Sequence, residues 1–257
     1  MLFRSFKDRA LCIATKHKKE SVIAPILSEH LAVNCFTPKN FDTDVFGTFT
    51  GEIVRDLSPI ETAKKKCEAA HLETGCDLII ASEGSFMPHP SYYFMPCDHE
   101  VLVLMDFKFN FICSAAKISS QTNFSSTSID HIGKLDDFLN NIQFPSHGVI
   151  IKSPNQTNIL KDINQYNLIY DAVENYINLH GSCLLETDMR AMNNPTRMNI
   201  IQSLTHDLVK NIQATCPNCK YPGYVAKESK EGLPCALCGN ATQSTLAIKI
   251  QIGRAHV

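Results

Sequence analysis

The chain lacks a charge excess of either sign. Its 257 residues carry 24 Lys and Arg against 26 Asp and Glu, a formal net charge of -2. There is therefore no chain-wide basic field of the kind that drives non-specific binding to nucleic acid or to an anionic membrane, and any such contact would have to be local. Long apolar runs are missing too, so nothing reaches membrane-spanning length. The opening MLFRSFKDRALCIA is interrupted by Arg4, Lys7, Asp8 and Arg9, which excludes the unbroken apolar stretch of a secretory signal. Internal repeats and low-complexity tracts are absent. These absences lead to the expectation of a soluble, cytoplasmic protein with no membrane partner.

What is plentiful is cysteine, with 11 in the chain. Cys12, Cys35, Cys67, Cys76, Cys97, Cys113 and Cys183 stand singly, a pattern that suits small apolar fillers in a reducing compartment better than a disulfide framework. The other four form two pairs, CPNC at Cys216 and Cys219 and CALC at Cys235 and Cys238, separated by 15 residues. That spacing predicts a structural zinc ribbon, because a two-residue gap lets both thiolates of one knuckle face a single point and four sulfurs close a tetrahedron. A closed site of this kind has no open position to bind and acidify water, so the zinc would serve folding rather than catalysis. Lys220, Lys227 and Lys230 are balanced by Glu228 and Glu231, which leaves nucleic acid undecided as a partner of the ribbon.

The rest of the pattern alternates strand and helix. ALCIAT, Ala10 to Thr15, reads as a first strand; Val22, Ile23, Ile26, Leu27 and Leu31 recur at helical spacing, with Pro25 either delaying or kinking that helix. LAVNCF reads as a second strand. Ser58, Pro59 and Glu61 predict a capped helix that stops at Gly75 and feeds a strand from Asp77 to Ser82. EVLVLMD, FNFICSAAKI and HGVIIK read as further strands, and beyond Pro154 the pattern reads as helix, one from Leu160 to His180 and one begun by Asn194 and Pro195. The expected architecture is α/β: a mixed sheet with flanking helices in residues 1–155, a helical extension in 156–213 and a four-cysteine zinc ribbon in 214–249. The closing IGRAHV matches the translation of a widely used sequencing adapter, so 252–257 are expected to be an adapter-derived tail on a chain that naturally continues past about Lys249.

Polar groups cluster at strand ends and helix starts of the N-terminal half. Thr15, Lys16, His17, Lys18 and Lys19 follow the first strand, Glu52 closes the Thr- and Gly-rich loop from Phe41, Lys66 lies one turn into the capped helix, and Glu83 and Ser85 follow the strand at Ser82. In an open α/β sheet, ligands sit at the carboxyl ends of strands. Convergent carboxylates hold Mg²⁺, and lysines hold the phosphates that the metal bridges. This assigns Glu52 and Glu83 to metal and attacking water, and His17, Lys18 and Lys66, with Thr15 and Ser85 beside them, to a nucleotide or other phosphorylated small molecule.

The arrangement resembles the inosine triphosphate pyrophosphatase superfamily of nucleotide hydrolases. Its first strand ends in Ala-Thr-x-Asn with a lysine beyond, a Glu-Asn-Ala-x-x-Lys-Ala motif opens a helix, and a later strand ends in acidic residues before a glycine. Here Ala14, Thr15, Glu61, Ala63, Lys66 and Glu83 keep that pattern, while His17, Glu20, Thr62 and Ser82 depart from it. The resemblance implies Mg²⁺-dependent hydrolysis. At closer range, ATKHKKE, FDTDVFGTFTGEI, ASEGSFMPHP, FPSHG, ETDMRAMNNPTRM and GLPCALCG resemble an uncharacterised bacterial family defined as a domain of unknown function, over Ala14 to about Ser244. Its members run on into further Cys-x-x-Cys pairs.

Structural alternatives stand beside each assignment. Glu83 either faces a site or caps a Gly84-Ser85 turn. His89, between two prolines, is either ligand-facing or a packed loop histidine; Glu52 and His147 have ordinary turn roles open to them, and Lys64-Lys65-Lys66 can be a solvated helix face. Glu186, Asp188, Arg190 and Arg197 form either an anion-binding corner or an internal ion-pair network. In place of an enzyme, the chain reads as a zinc-ribbon module that binds a ligand, nucleic acid or protein without turnover.

Overall fold

The computed structural model describes residues 6–39, 41 and 57–253. Strand β1 (Ala10–Ala14) is central to the first half of the chain. Helix α1 (Glu20–Leu31) follows it, running through Pro25 without ending there, and leads into β2 (Asn34–Phe36), parallel to β1. Helix α2 (Pro59–Thr74) starts at the expected capping box: the Ser58 hydroxyl accepts from the Glu61 amide, and the Glu61 carboxylate accepts from the Ser58 amide. It ends at Gly75, whose φ of 68° only glycine adopts without cost. The chain then enters β3 (Leu78–Pro88), parallel to β1 on the side away from β2.

The sequence predicts that β3 stops at Ser82, but it runs on to Pro88. The reason lies in its other partner: β4 (Pro96–Asp106) pairs antiparallel along the whole of β3, from Leu78 opposite Asp106 to Pro88 opposite Pro96, well past the point where β1 ends. Strand β5 (Phe111–Ser119) adds antiparallel to β4 and completes a five-stranded mixed sheet of order β2-β1-β3-β4-β5.

A second sheet goes beyond the sequence pattern. β6 (Ser126–Ile129), β7 (Val149–Lys152), β8 (Ile159–Ile163) and β9 (Cys183–Thr187) form a four-stranded antiparallel sheet of order β6-β9-β7-β8, covered by α3 (Leu135–Asn141) and α4 (Tyr166–His180). The segment 156–213, helical by its sequence pattern, thus supplies two strands as well as α4 and α5 (Pro195–Gln213). ILKDI carries charges at its centre and CLLET is only five residues long, too short for a period-2 signal against the longer helical pattern beside it.

Alternation along the five-stranded sheet builds two cores. Leu11, Ile13, Ile80, Leu102 and Leu104 face α1 and α5, whose Ile23, Leu27, Leu204 and Leu208 they meet. Cys12, Ala14, Ile79, Ala81 and Val103 face α2, meeting Ala63, Cys67 and Ala70. Each large aliphatic side chain contributes about 1.5–3 kcal/mol on burial. The small residues on the α2 side bring that helix close to the sheet. Past α5, β10 (Val225–Glu231) and β11 (Thr245–Gln251) pair antiparallel. Ile252 and Gly253, expected as the start of a foreign tail, are seated against β5: the Ile112 amide donates to the Gly253 carbonyl at 2.7 Å. No described helix is long and apolar enough to cross a membrane.

Candidate functional site

The order β2-β1-β3 reverses at β1. The chain leaves β1 through α1 to reach β2 on one side, and α2 leads into β3 on the other, so the strand order changes direction between β1 and β3. In open α/β sheets, ligands bind at such switch points, outside the carboxyl ends of the strands. Thr15 follows β1 directly and is buried, and the register that sets Ala14 opposite Ala81 carries it to the level of Ser82.

Lys19 immediately precedes α1, whose first turn has no side-chain cap, and its Nζ donates to Ser82 Oγ at 2.9 Å. Its pKa falls to about 8 because burial disfavours the ammonium and Arg197 repels it, with Glu100 and Glu83 opposing. His17 is half-buried and Lys18 exposed, the latter with φ 56°.

On the opposite side of β3, Lys66 reaches across from α2. Its Nζ stands 2.5 Å from Glu83 Oε2, with both side chains buried. The other Glu83 oxygen accepts the Gly84 amide at 3.2 Å. Lys66 is thereby removed from the solvated helix face that Lys64-Lys65-Lys66 suggests. Because β3 continues through Gly84 and Ser85, no turn exists there for Glu83 to cap. Ser85 lies two residues on, half-buried, opposite His99. Glu52, assigned to metal with Glu83, lies outside the described residues.

Sequence reading missed the acids of β4. Asp98 and Glu100 alternate with apolar residues on the same face as Leu102 and Leu104, yet both are 0% exposed. Glu100 Oε1 takes Arg197 Nε at 2.5 Å, and Arg197 Nη1 also donates to the Met189 carbonyl. Gly84 makes this possible: a Cβ there would overlap Glu100 Oε1 and Arg197. The signal was present in CDHEVLVL, where two carboxylates occupy core-facing positions of a strand. The Arg197 end of ETDMRAMNNPTR is an internal ion pair, and Arg190 likewise pairs with Asp188 at 2.6 Å and Asp162 at 2.7 Å. His147 is a structural histidine. Its Nε2 accepts the Thr196 amide at the start of α5, and burial holds its pKa below the usual value. His89 Nδ1 accepts the amides of Ser91 and Tyr92, closing the β3–β4 loop.

The four paired cysteines sit in two similar turns. The Cys216 carbonyl accepts the Lys220 amide and the Cys235 carbonyl the Gly239 amide, with Lys220 and Gly239 both at positive φ. Amides of Cys219 and Asn218 lower the pKa of Cys216, and those of Cys238 and Leu237 that of Cys235. All four thiols are free. Among the described residues, however, no group of three or more His, Cys, Asp or Glu side chains is placed to hold a metal ion. The expected four-cysteine zinc ribbon is therefore not shown: the described residues have two similar cysteine turns and a two-stranded sheet, with no assembled four-sulfur site.

A search of the curated proteins finds no match. Among solved structures, the crystal structure of protein VC0702 from Vibrio cholerae is similar over 44% of this chain and 63% of that one, at 8% identity and a TM-score of 0.33. The chain thus spans less than two thirds of that protein's length. The model of a family described as a domain of unknown function, DUF6671, matches residues 66–254, well over half of the chain, and the protein belongs to that family.

Proposed function

We propose that the protein is a Mg²⁺-dependent hydrolase of a nucleotide or a related phosphorylated small molecule, acting at the switch point between β1 and β3. One observation carries the reading: two buried lysines, Lys19 and Lys66, reach the adjacent residues Ser82 and Glu83 from the two faces of β3, level with the end of β1. Burying such groups costs free energy, and their place at the level where β1 ends is what supports a site over a purely structural pair. The first turn of α1, which no side chain caps, adds the positive end of a helix dipole shortly after β1 ends.

Mg²⁺ in phosphate-handling sites takes one or two carboxylates and is completed by substrate phosphates. Glu83 together with Glu52 would hold it, and when bound it neutralises phosphate charge. Lys66 holds Glu83 in place. Lys18 and Lys66 supply positive charge toward phosphate oxygens, and Thr15, His17 and Ser85 line the approach. The four knuckle cysteines would hold a structural zinc, for which the lowered pKa values of Cys216 and Cys235 and the paired turns are suited.

The full chain incubated with a panel of nucleoside triphosphates and sugar phosphates and Mg²⁺ or Mn²⁺ should release phosphate or pyrophosphate, and Glu83→Gln should lower the rate about 100-fold or more. No release from any substrate would reject the reading. A second reading, a binding module without turnover centred on the knuckles, is favoured by the exposed stripe Leu246, Ile248 and Ile250 along β11.

A further inference from the structure

The acids of β4 present a problem of hydrogen bonding. Asp98 and Glu100 are two residues apart, so they project from the same face of the strand, toward α1 and α5. Both are fully buried. Glu100 spends one oxygen on Arg197, but its Oε2 and both oxygens of Asp98 have no hydrogen-bond partner among the described residues. Were both carboxylates ionised, Asp98 would pay its desolvation cost with no donor to offset it, Glu100 would be compensated at one oxygen alone, and the two would repel each other.

A single proton resolves both difficulties. Protonated, Asp98 becomes a donor to Glu100 and carries no charge, and the contact of Glu100 with Arg197 is kept. We propose that Asp98 and Glu100 share one proton in the folded protein, and that this proton locks the Glu100–Arg197 pair and with it the junction between the five-stranded and four-stranded sheets. Arg197 is the bridge: it reaches Glu100 on β4 with one nitrogen and the Met189 carbonyl, just past β9, with another. Loss of the proton would place two like charges against one guanidinium and weaken its hold on the second sheet.

The surroundings agree in sign. Burial pushes Asp98 up to about 8, the negative charge of Glu100 adds to the effect, and Arg197 and Lys19 only partly oppose it. From α1 the facing charge is Lys19, and from α5 Arg197. From β5 it is Lys117, opposite Glu100 and already engaged with Ser203 and Asp207 of α5; behind the sheet stands the Lys66–Glu83 pair. The folded state holds the proton more tightly than the unfolded chain. Its contribution is therefore complete at low pH, declines once the unfolded Asp98 ionises, and is gone above about pH 8.

Two measurements on the full chain decide the matter. In wild type, carbon-13 carboxyl spectra should show one resonance titrating near pH 8, absent from Asp98→Asn; carboxyls that all titrate below about pH 6 would overturn the proposal. Urea unfolding between about pH 5 and about pH 7 should give an unfolding constant whose rise with pH is steeper in wild type than in Asp98→Asn by about tenfold per pH unit, one proton's worth. Parallel slopes would overturn it. Should Asp98→Asn fail to fold, the wild-type titration alone decides.

Discussion

The two faces of β3 solve the same problem differently. On the α2 face, Glu83 meets a lysine, and the pair is charge-balanced within itself. On the α1 and α5 face, two acids on β4 meet one arginine, with Lys19 turned to Ser82 instead. A pair that balances itself needs no further partner to be buried. A cluster that does not balance must be sealed by packing, by a proton and by contacts with a neighbouring sheet. Burial alone does not separate functional from structural charge; what separates them is whether the group lies at the strand ends of the switch point or beneath a helix that anchors another sheet.

Removing the arginine should break this comparison most strongly. Arg197→Met leaves Glu100 buried without its counter-charge, and should cost about 3–5 kcal/mol in urea unfolding while also exposing the second sheet to faster hydrogen exchange. Lys66→Met leaves Glu83 in the same position and should cost about 3 kcal/mol, yet the double variant Lys66→Met, Glu83→Leu should recover most of that loss. The corresponding double change of Arg197 and Glu100 should recover less, since the Met189 contact goes with the arginine. The smallest stability effect sharpens the comparison at the helix ends. Asn194→Ala, removing the buried cap of α5, should cost more than Ser58→Ala at the exposed cap of α2, with both near 1 kcal/mol by thermal unfolding. A fourth test concerns the knuckles: metal analysis of the purified chain should find about one zinc per chain, and Cys216→Ser with Cys235→Ser should abolish it.

Much of the first sheet was legible because its signals are local. The Ser58 box, Gly75 and the run Leu78–Ala81 set the helix and strand that bring Lys66 to Glu83, and a strand-end carboxylate with a lysine on the preceding helix could be read as a site. The extension of β3 past Ser82 was not legible, because Gly84 and the prolines nearby signal a turn, while the pairing with β4 that keeps them extended is a long-range fact. The second sheet was hidden for a similar reason, its strands being short and partly polar. Asp98 and Glu100 were overlooked since acids in a strand read as its solvent face, although their spacing from Leu102 and Leu104 puts them on the core-facing side, as the packing of α5 bears out. Lys19 was one of several cations after β1, and nothing local distinguishes it from Lys18.

The central claim is that a phosphorylated ligand sits at the carboxyl ends of β1 and β3. Amide chemical shifts of the full chain titrated with a nucleoside triphosphate and Mg²⁺ test it most directly. The account predicts that the shifts concentrate at Thr15 to Glu20 and Ser82 to Ser85 and disappear in Lys66→Met with Glu83→Gln. Shifts confined to the knuckles and to β10 and β11, with the switch point unmoved, would contradict it.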